Sequence, residues 1–168
     1  MEGGPMEGGP MEGGPMGPLR LARTTLEEML THARATHPEE CCGAVLEIDG
    51  RDVVRRFTNI QGRLHREDPA AHPRDAETAY APEPRELFAA LREGEAPGAR
   101  VKAFYHSHTR VGAYFSGEDR ARAMFGDEPA YPEVAYVVVS DSRTPGEARA
   151  FRWSERARDF VEVPIEVC

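Results

Sequence analysis

Apolar positions along the chain alternate between two periods. Leu26, Met29, Leu30 and Ala33 recur at i, i+3, i+4 and i+7, the stripe of a helix laid on a core. Thr24 and Thr25 can cap its start, with Glu27 and Glu28 three residues on as capping-box partners, and Pro38 stops it. Residues 42–48 and 53–57 are strand-like runs on either side of Asp49-Gly50, which predicts a hairpin. Residues 60–82 are polar, carry three prolines and show no period, so they read as a long loop. A helix is expected over 84–93, with Leu87, Phe88 and Leu91 on one face and Gly94 as its stop. Residues 101–105 form a short apolar strand, and Ser116 is placed to cap a helix running to Met124. Residues 134–139, 148–153 and 160–167 read as strands, with a turn at Thr144-Pro145-Gly146. Helices interspersed with strands predict an α+β (mixed α/β) domain, a sheet flanked by helices.

Composition trims this picture at the N-terminus. Residues 1–18 repeat Met-Glu-Gly-Gly-Pro three times and end in Met-Gly-Pro, holding 7 of the 16 Gly in the 168-residue chain. Such a tract buries too little to offset its ordering entropy and is expected to be a disordered tail. Residues 19–168 then form one domain. The net charge of -8 and 20 scattered Arg beside the single Lys102 argue against nucleic acid as the main partner. No apolar run approaches the roughly 18–20 residues that span a bilayer, and the start has no basic and apolar signal segment. A cytoplasmic protein with no membrane partner is therefore expected. Cys41, Cys42 and Cys168 form neither a disulfide framework nor a cysteine zinc site.

The chemistry concentrates in His106-Ser107-His108 and in Ser116 and Asp119 beyond it. Histidines at i and i+2 at a strand end project to one face, where two imidazoles can converge on a metal. Seven residues then let the chain fold back, so that Asp119 sits in the first turn of the next helix beside them. Two imidazoles and a carboxylate leave a fourth tetrahedral position open, as a catalytic zinc needs. H-x-H alone is a weak signal, and Ser116-Gly117-Glu118-Asp119 alone is only a capping motif. Together, after an apolar strand, they point to a metal site.

Such a site needs a general base, and Glu40, just before the apolar run 41–46, is the candidate. On composition alone Glu39 and Glu40 could equally be exposed acids before a strand. Cys42 reads as a small buried hydrophobe, Ser107 as a hydrogen-bonding group facing away from the ligands, and Trp153, alternating with Phe151 on one strand, as a core or rim residue. His32 and His37 lie at a helix end, where a cation suits the dipole, and His65 and His72 have no partner spacing.

Residues 21–167 resemble the JAMM (MPN+) metalloprotease family, whose motif is a Glu three residues before a strand glycine, followed by H-x-H-x7-S-x2-D. Glu40 before Gly43 in PEECCG, and HSHTRVGAYFSGED, supply every position in order. The resemblance implies a cytidine-deaminase-like curved β-sheet with a helix on either side. It also implies that His106, His108 and Asp119 bind one zinc per chain. Glu40 would serve as general base and acid, and Ser116 would donate a hydrogen bond to the oxyanion. HPEECCG, the 59–80 segment and HSHTRVGAY are similar to the bacterial branch acting on ubiquitin-like sulfur-carrier proteins, above all to enzymes releasing cysteine from a carrier's C-terminus. Thr109 and Phe115 stand where many members have Pro, so the loop 109–115 is expected to shape the substrate groove.

The function so implied is a zinc-dependent peptidase cleaving the amide after the Gly-Gly tail of a ubiquitin-like sulfur carrier. The resemblance leaves a homodimer open. One rival is a metal-binding module that recognises the carrier without cleaving it; intact Glu40 and Ser116 argue against that. Another is a DNA-repair-associated relative, which the acidic composition disfavours.

Overall fold

The computed structural model describes residues 16–142 and 146–168. Thr144 and Pro145 of the expected turn lie outside the described residues, as does the repeat tract up to residue 15. The elements in order are β1 (Leu19–Leu21), α1 (Arg23–Thr36), β2 (Cys42–Ile48), β3 (Arg51–Phe57), α2 (Gln61–Glu67), α3 (Pro84–Glu93) and β4 (Ala99–His108). They continue with α4 (Gly117–Ala123), β5 (Met124–Phe125), β6 (Glu128–Pro129), β7 (Ala135–Ser140), β8 (Glu147–Ser154), β9 (Asp159–Val163) and β10 (Ile165–Val167). A six-stranded sheet has the order β3-β2-β4-β7-β8-β9. Its pairings are antiparallel except β4 with β7, which run parallel and need the α4 crossover between them.

The β2–β3 hairpin forms where expected, because Asp49 (φ 51°) and Gly50 (φ 80°) both adopt the left-handed backbone of a tight two-residue turn. Helix α1 covers one face of the sheet: Met29 and Ala33 pack with Cys41, Val45, Ala103, Tyr105, Val137 and Val139. The other face carries two clusters. Cys42, Ala44 and Phe57 lie under Ala90 of α3, and Tyr136, Val138, Phe151, Trp153 and Phe160 lie near Ala123 of α4. Beyond the register shift opposite Val45 and Leu46, Phe104, His106 and His108 of β4 point to this second face, which sends the two histidines toward α4.

The structure departs from the sequence expectations in several places. The N-cap of α1 is Ala22, and no side chain caps it. Asp52 does that work instead, accepting from the Ala22 N–H and the Thr25 hydroxyl at 2.9 Å each and pairing with Lys102 at 2.7 Å. The 60–82 stretch is not a plain loop: α2 occupies its first third, and Gln61, Ala76 and Ala79 are buried. Phe88 is 67% exposed rather than on the buried face of α3. Pro164 divides the last predicted strand in two, and β10 pairs in parallel with β1, which carries too few residues to show a period. Residues 16–18, placed in the tail by composition, lie against the domain. Met16 packs on the core, and Arg152 donates to the carbonyls of Gly17 (3.0 Å) and Pro18 (3.2 Å), so those residues are held by β8.

Candidate functional site

Strand β4 is where the sheet changes from antiparallel to parallel pairing, and His106 and His108 lie at its carboxyl end. The parallel crossover returns there through α4, so the start of that helix faces them. A capping box fixes its first turn: the Ser116 Oγ accepts the Asp119 N–H at 3.0 Å, and the Asp119 Oδ2 accepts the Ser116 N–H at 3.0 Å. The box leaves Asp119 Oδ1 and Oδ2 facing the imidazoles, 3.1 Å from His106 Nε2 and 3.3 Å from His108 Nε2. The three side chains are buried, and their ligand atoms lie within 4.8 Å of one another.

The donor set asks for a cation. His108 Nδ1 lies 2.9 Å from the Gly112 carbonyl, which can only accept, so that nitrogen carries the proton. In the neutral ring Nε2 therefore keeps its lone pair, directed at a carboxylate oxygen. His106 Nε2 is buried without a hydrogen-bond partner, although Asp119 Oδ1 lies 3.1 Å from it. Zinc bonds of about 2.0–2.2 Å put tetrahedral ligand atoms roughly 3.4 Å apart, close to the two spacings observed. The residues fit a metal.

Burial pushes the His106 pKa down, which keeps the ring neutral. Burial opposes charge on His108 as well, but Asp119 and the Gly112 carbonyl outweigh it and raise its pKa. Burial likewise opposes the Asp119 charge, and the two imidazoles with the Ser116 N–H outweigh that, holding the carboxyl well below the usual range. Tyr80, which the sequence did not single out, stacks on His106 with ring centroids 4.4 Å apart, and Tyr114 meets His108 edge-on at 5.2 Å.

Glu40 lies in the turn entering β2 and is 6% exposed. Its N–H donates to the Ala76 carbonyl at 2.7 Å, and its own carbonyl accepts from the Asn59 side chain at 2.9 Å. Burial drives its carboxyl pKa up to about 8; the nearby His108 pulls it down and Asp119 reinforces the rise. Glu40, His108, Ser116 and Asp119 line a single cleft of about 220 Å³. One wall of the cleft is the 77–80 segment, and the other is the loop carrying Val111 and Tyr114. Phe115 takes no part in that wall. It packs instead against Tyr136, Phe151 and Phe160, with ring centroids 5.1–5.6 Å apart.

Residues 22–154 match the prokaryotic homologs of the JAB domain. The chain belongs to that family. Over 141 residues this prokaryotic JAB chain is 30% identical to the CysO-cysteine peptidase of Mycobacterium tuberculosis, a match covering 83% of the chain and 84% of the relative. The protein of the same name in Mycobacterium bovis matches to the same extent. The JAB chain is also similar to a Desulfitobacterium hafniense protein solved in solution, with TM-score 0.65 and 23% identity over 89% of this chain and 92% of that one. A Salinibacter ruber protein gives TM-score 0.54 and 24% identity over 89% and 91% of the two chains. These two likenesses concern the fold alone, a sheet with helices on both faces.

Cys42 lies in the apolar cluster under α3, Cys41 lies in the α1 core, and both are free thiols. Ser107 faces away from the ligands, as the alternation predicts, and hydrogen-bonds Cys41. Asn59, Tyr80 and Arg122 were not legible as site residues. The packing of the 74–82 segment brings Tyr80 to the cleft, Asn59 reaches only the Glu40 carbonyl behind it, and Arg122 stands one helical turn beyond Asp119 on α4.

Proposed function

We propose that the protein is a zinc-dependent peptidase that hydrolyses the amide bond after the C-terminal Gly-Gly tail of a small ubiquitin-like sulfur-carrier protein, releasing cysteine or a short peptide. The observation that carries this reading is the convergence of three buried ligand groups, one of them the unpartnered His106 Nε2, with Glu40 and Ser116 on the same cleft. The match to the peptidases named above supports the substrate class.

His106, His108 and Asp119 would hold the zinc, which supplies Lewis acidity that polarises a carbonyl and brings the pKa of water to about 7. Glu40 takes a proton from the attacking water as the new C–O bond forms. The same carboxyl then delivers that proton to the amide nitrogen as the C–N bond breaks. A carboxyl whose pKa burial raises to about 8 is suited to both steps, and such transfer contributes roughly 10²–10⁴-fold. Accepting the Asp119 N–H uses an oxygen lone pair of Ser116 and leaves its hydroxyl proton free to donate to the oxyanion, an interaction worth about 10²–10³-fold. Burial of the carboxylate and both imidazoles excludes competing hydrogen bonds from water.

The test combines metal analysis with turnover of a carrier ending in Gly-Gly-Cys. Wild type should hold one zinc per chain and release cysteine. His106→Ala should lose the metal, and Glu40→Gln should keep the metal and lose at least a hundredfold in kcat. Full activity in Glu40→Gln overturns the base assignment, and tight carrier binding without cleavage by wild type means a recognition module.

A further inference from the structure

Three guanidinium groups line the cleft, and they differ in what they already hold. Arg74 stands 3.3 Å from Glu118, and Arg110 stands 2.9 Å from Glu77. Both are neutralised by carboxylates on the opposite wall. Arg122 is exposed and pairs with no carboxylate among the described residues. Its Nη2 donates to the neutral Gln61 Oε1 at 3.2 Å, and its guanidinium lies 5.3 Å from the centre of the Tyr80 ring. That arrangement orients the planar fork and leaves most of its donors free, with no ion pair made, although its charge acts at longer range on the Glu40 carboxyl and works to lower its pKa.

Its position relative to the metal ligands is specific. Arg122 follows Asp119 by three residues on α4, so the two side chains share a helix face. Tyr80 lies beside both the Arg122 guanidinium and the His106 ring. A single amino acid leaving from the scissile amide carries its carboxylate one carbon beyond the departing nitrogen. That carboxylate must sit a few ångströms from the reacting carbonyl, toward one wall of the cleft. A flat anion with two oxygens there fits a guanidinium fork in bidentate fashion.

We infer that Arg122 reads the free α-carboxylate of the leaving residue, which makes the cleft selective for removal of one C-terminal amino acid over internal cleavage. This deepens the proposed function and rests on it for the identity of the bond cut. Glu77 and Glu118 do not cancel Arg122, since each is already paired, and the pairing also keeps their charges from repelling the incoming carboxylate.

The experiment uses carrier–Gly-Gly–Cys as the free acid and as the C-terminal amide. In wild type the acid should have at least a tenfold higher kcat/KM than the amide. A second readout is independent of turnover: in a Glu40→Gln background, the acid should bind at least tenfold more tightly than the amide. Adding Arg122→Gln should bring that binding ratio near one, whereas Arg122→Lys, which keeps the charge but not the fork, should leave an intermediate ratio. Because each ratio is taken within one protein, a general loss of stability cancels. Equal binding of acid and amide overturns the inference, and so does a ratio unchanged by Arg122→Gln. A parallel loss for both substrates identifies Arg122 as a support for Gln61 and Tyr80 and overturns it as well. Failure of wild type to cleave either substrate overturns the peptidase reading instead, while the binding ratio still decides the role of Arg122.

Discussion

Ser107 and Cys41 are joined twice: the Ser107 hydroxyl accepts the Cys41 N–H at 2.7 Å, and the Ser107 N–H donates to the Cys41 carbonyl at 3.0 Å. The residue before Cys41 is Glu40, and the residues flanking Ser107 are the two histidines. This pair of hydrogen bonds between the entry to β2 and β4 therefore ties the backbone beside Glu40 to the strand that carries the imidazoles. The Asn59 side chain completes the frame, donating to the carbonyls of Glu40 and Ala79 and accepting from the N–H groups of Gln61 and Ala81.

On the proposed function, Ser107→Ala should separate the positioning of Glu40 from metal binding. The substitution strands a buried N–H, at about 1–3 kcal/mol, and loosens Glu40 without touching a ligand. Zinc content should be unchanged, the melting temperature should fall by several degrees, and kcat should drop about tenfold or more with little change in KM. A kcat equal to wild type would show that Glu40 is held by its other bonds alone.

Gly43 lies opposite Tyr105 in the β2–β4 pairing. A Cβ there would sit 2.5 Å from the Tyr105 ring and 2.5 Å from the Arg55 carbonyl oxygen, and the backbone atom cannot move aside cheaply. Gly43→Ala should destabilise the fold by about 3 kcal/mol, as overpacking of a tight core does, measurable as a lower midpoint in urea.

How much of this was legible follows from what each residue depends on. The helix of Met29 and Ala33, the hairpin at Asp49-Gly50 and the α4 cap at Ser116 are local patterns, and they form near where their residues stand. The His106, His108 and Asp119 convergence was legible because strand alternation and a cap fix all three within 14 residues. Asn59 and Tyr80 were not, because they reach the site through the 74–82 segment, whose course is set by bonds to distant partners such as Glu40 and Gln61. Thr25 misled for a related reason: its hydroxyl serves Asp52 on another strand rather than its own helix. Phe115 misled because a loop position in sequence proved to pack, half-buried, against the aromatic core rather than line the cleft.

His32 predicts a pH dependence on the face away from the cleft. It is 7% exposed, its Nδ1 lies 2.7 Å from the Tyr105 hydroxyl, and burial, with help from the charge of Arg56, lowers its pKa to about 4. A histidine whose folded pKa lies below its unfolded value of about 6.5 contributes fully above that pH. As pH falls from about 6.5 toward 4 the unfolded chain takes up the proton first, and up to a few kcal/mol of stability is lost. Urea unfolding of wild type and His32→Gln between pH 7.5 and 4.5 should show the steeper loss in wild type. Parallel curves would mean that His32 is accessible to protons in the folded state.

The final prediction concerns which tails the cleft admits, and it rests on the proposed function. A cleft of about 220 Å³ is below the roughly 300–1,000 Å³ of ordinary ligand pockets, so an extended tail entering it must be thin. Its walls are the 77–80 segment and Tyr114, whose ring lies against His108 and is 51% exposed. The Thr109 hydroxyl, donating to the Glu77 carbonyl at 3.3 Å, and Arg110, bonded to the Glu77 side chain, tie the two walls together and limit how far they can part. A Cβ on either residue before the scissile bond would push the carbonyl away from the ligands, and a misplacement of about 1 Å costs around a hundredfold in rate. Carriers ending in Gly-Gly-Cys should therefore be cleaved about a hundredfold faster than the Gly-Ala-Cys and Ala-Gly-Cys variants. Tyr114→Ala should narrow that gap by widening one wall while leaving the metal content unchanged. Equal rates for the three carriers with wild type would mean that the walls yield, and that selection of the tail lies outside this cleft.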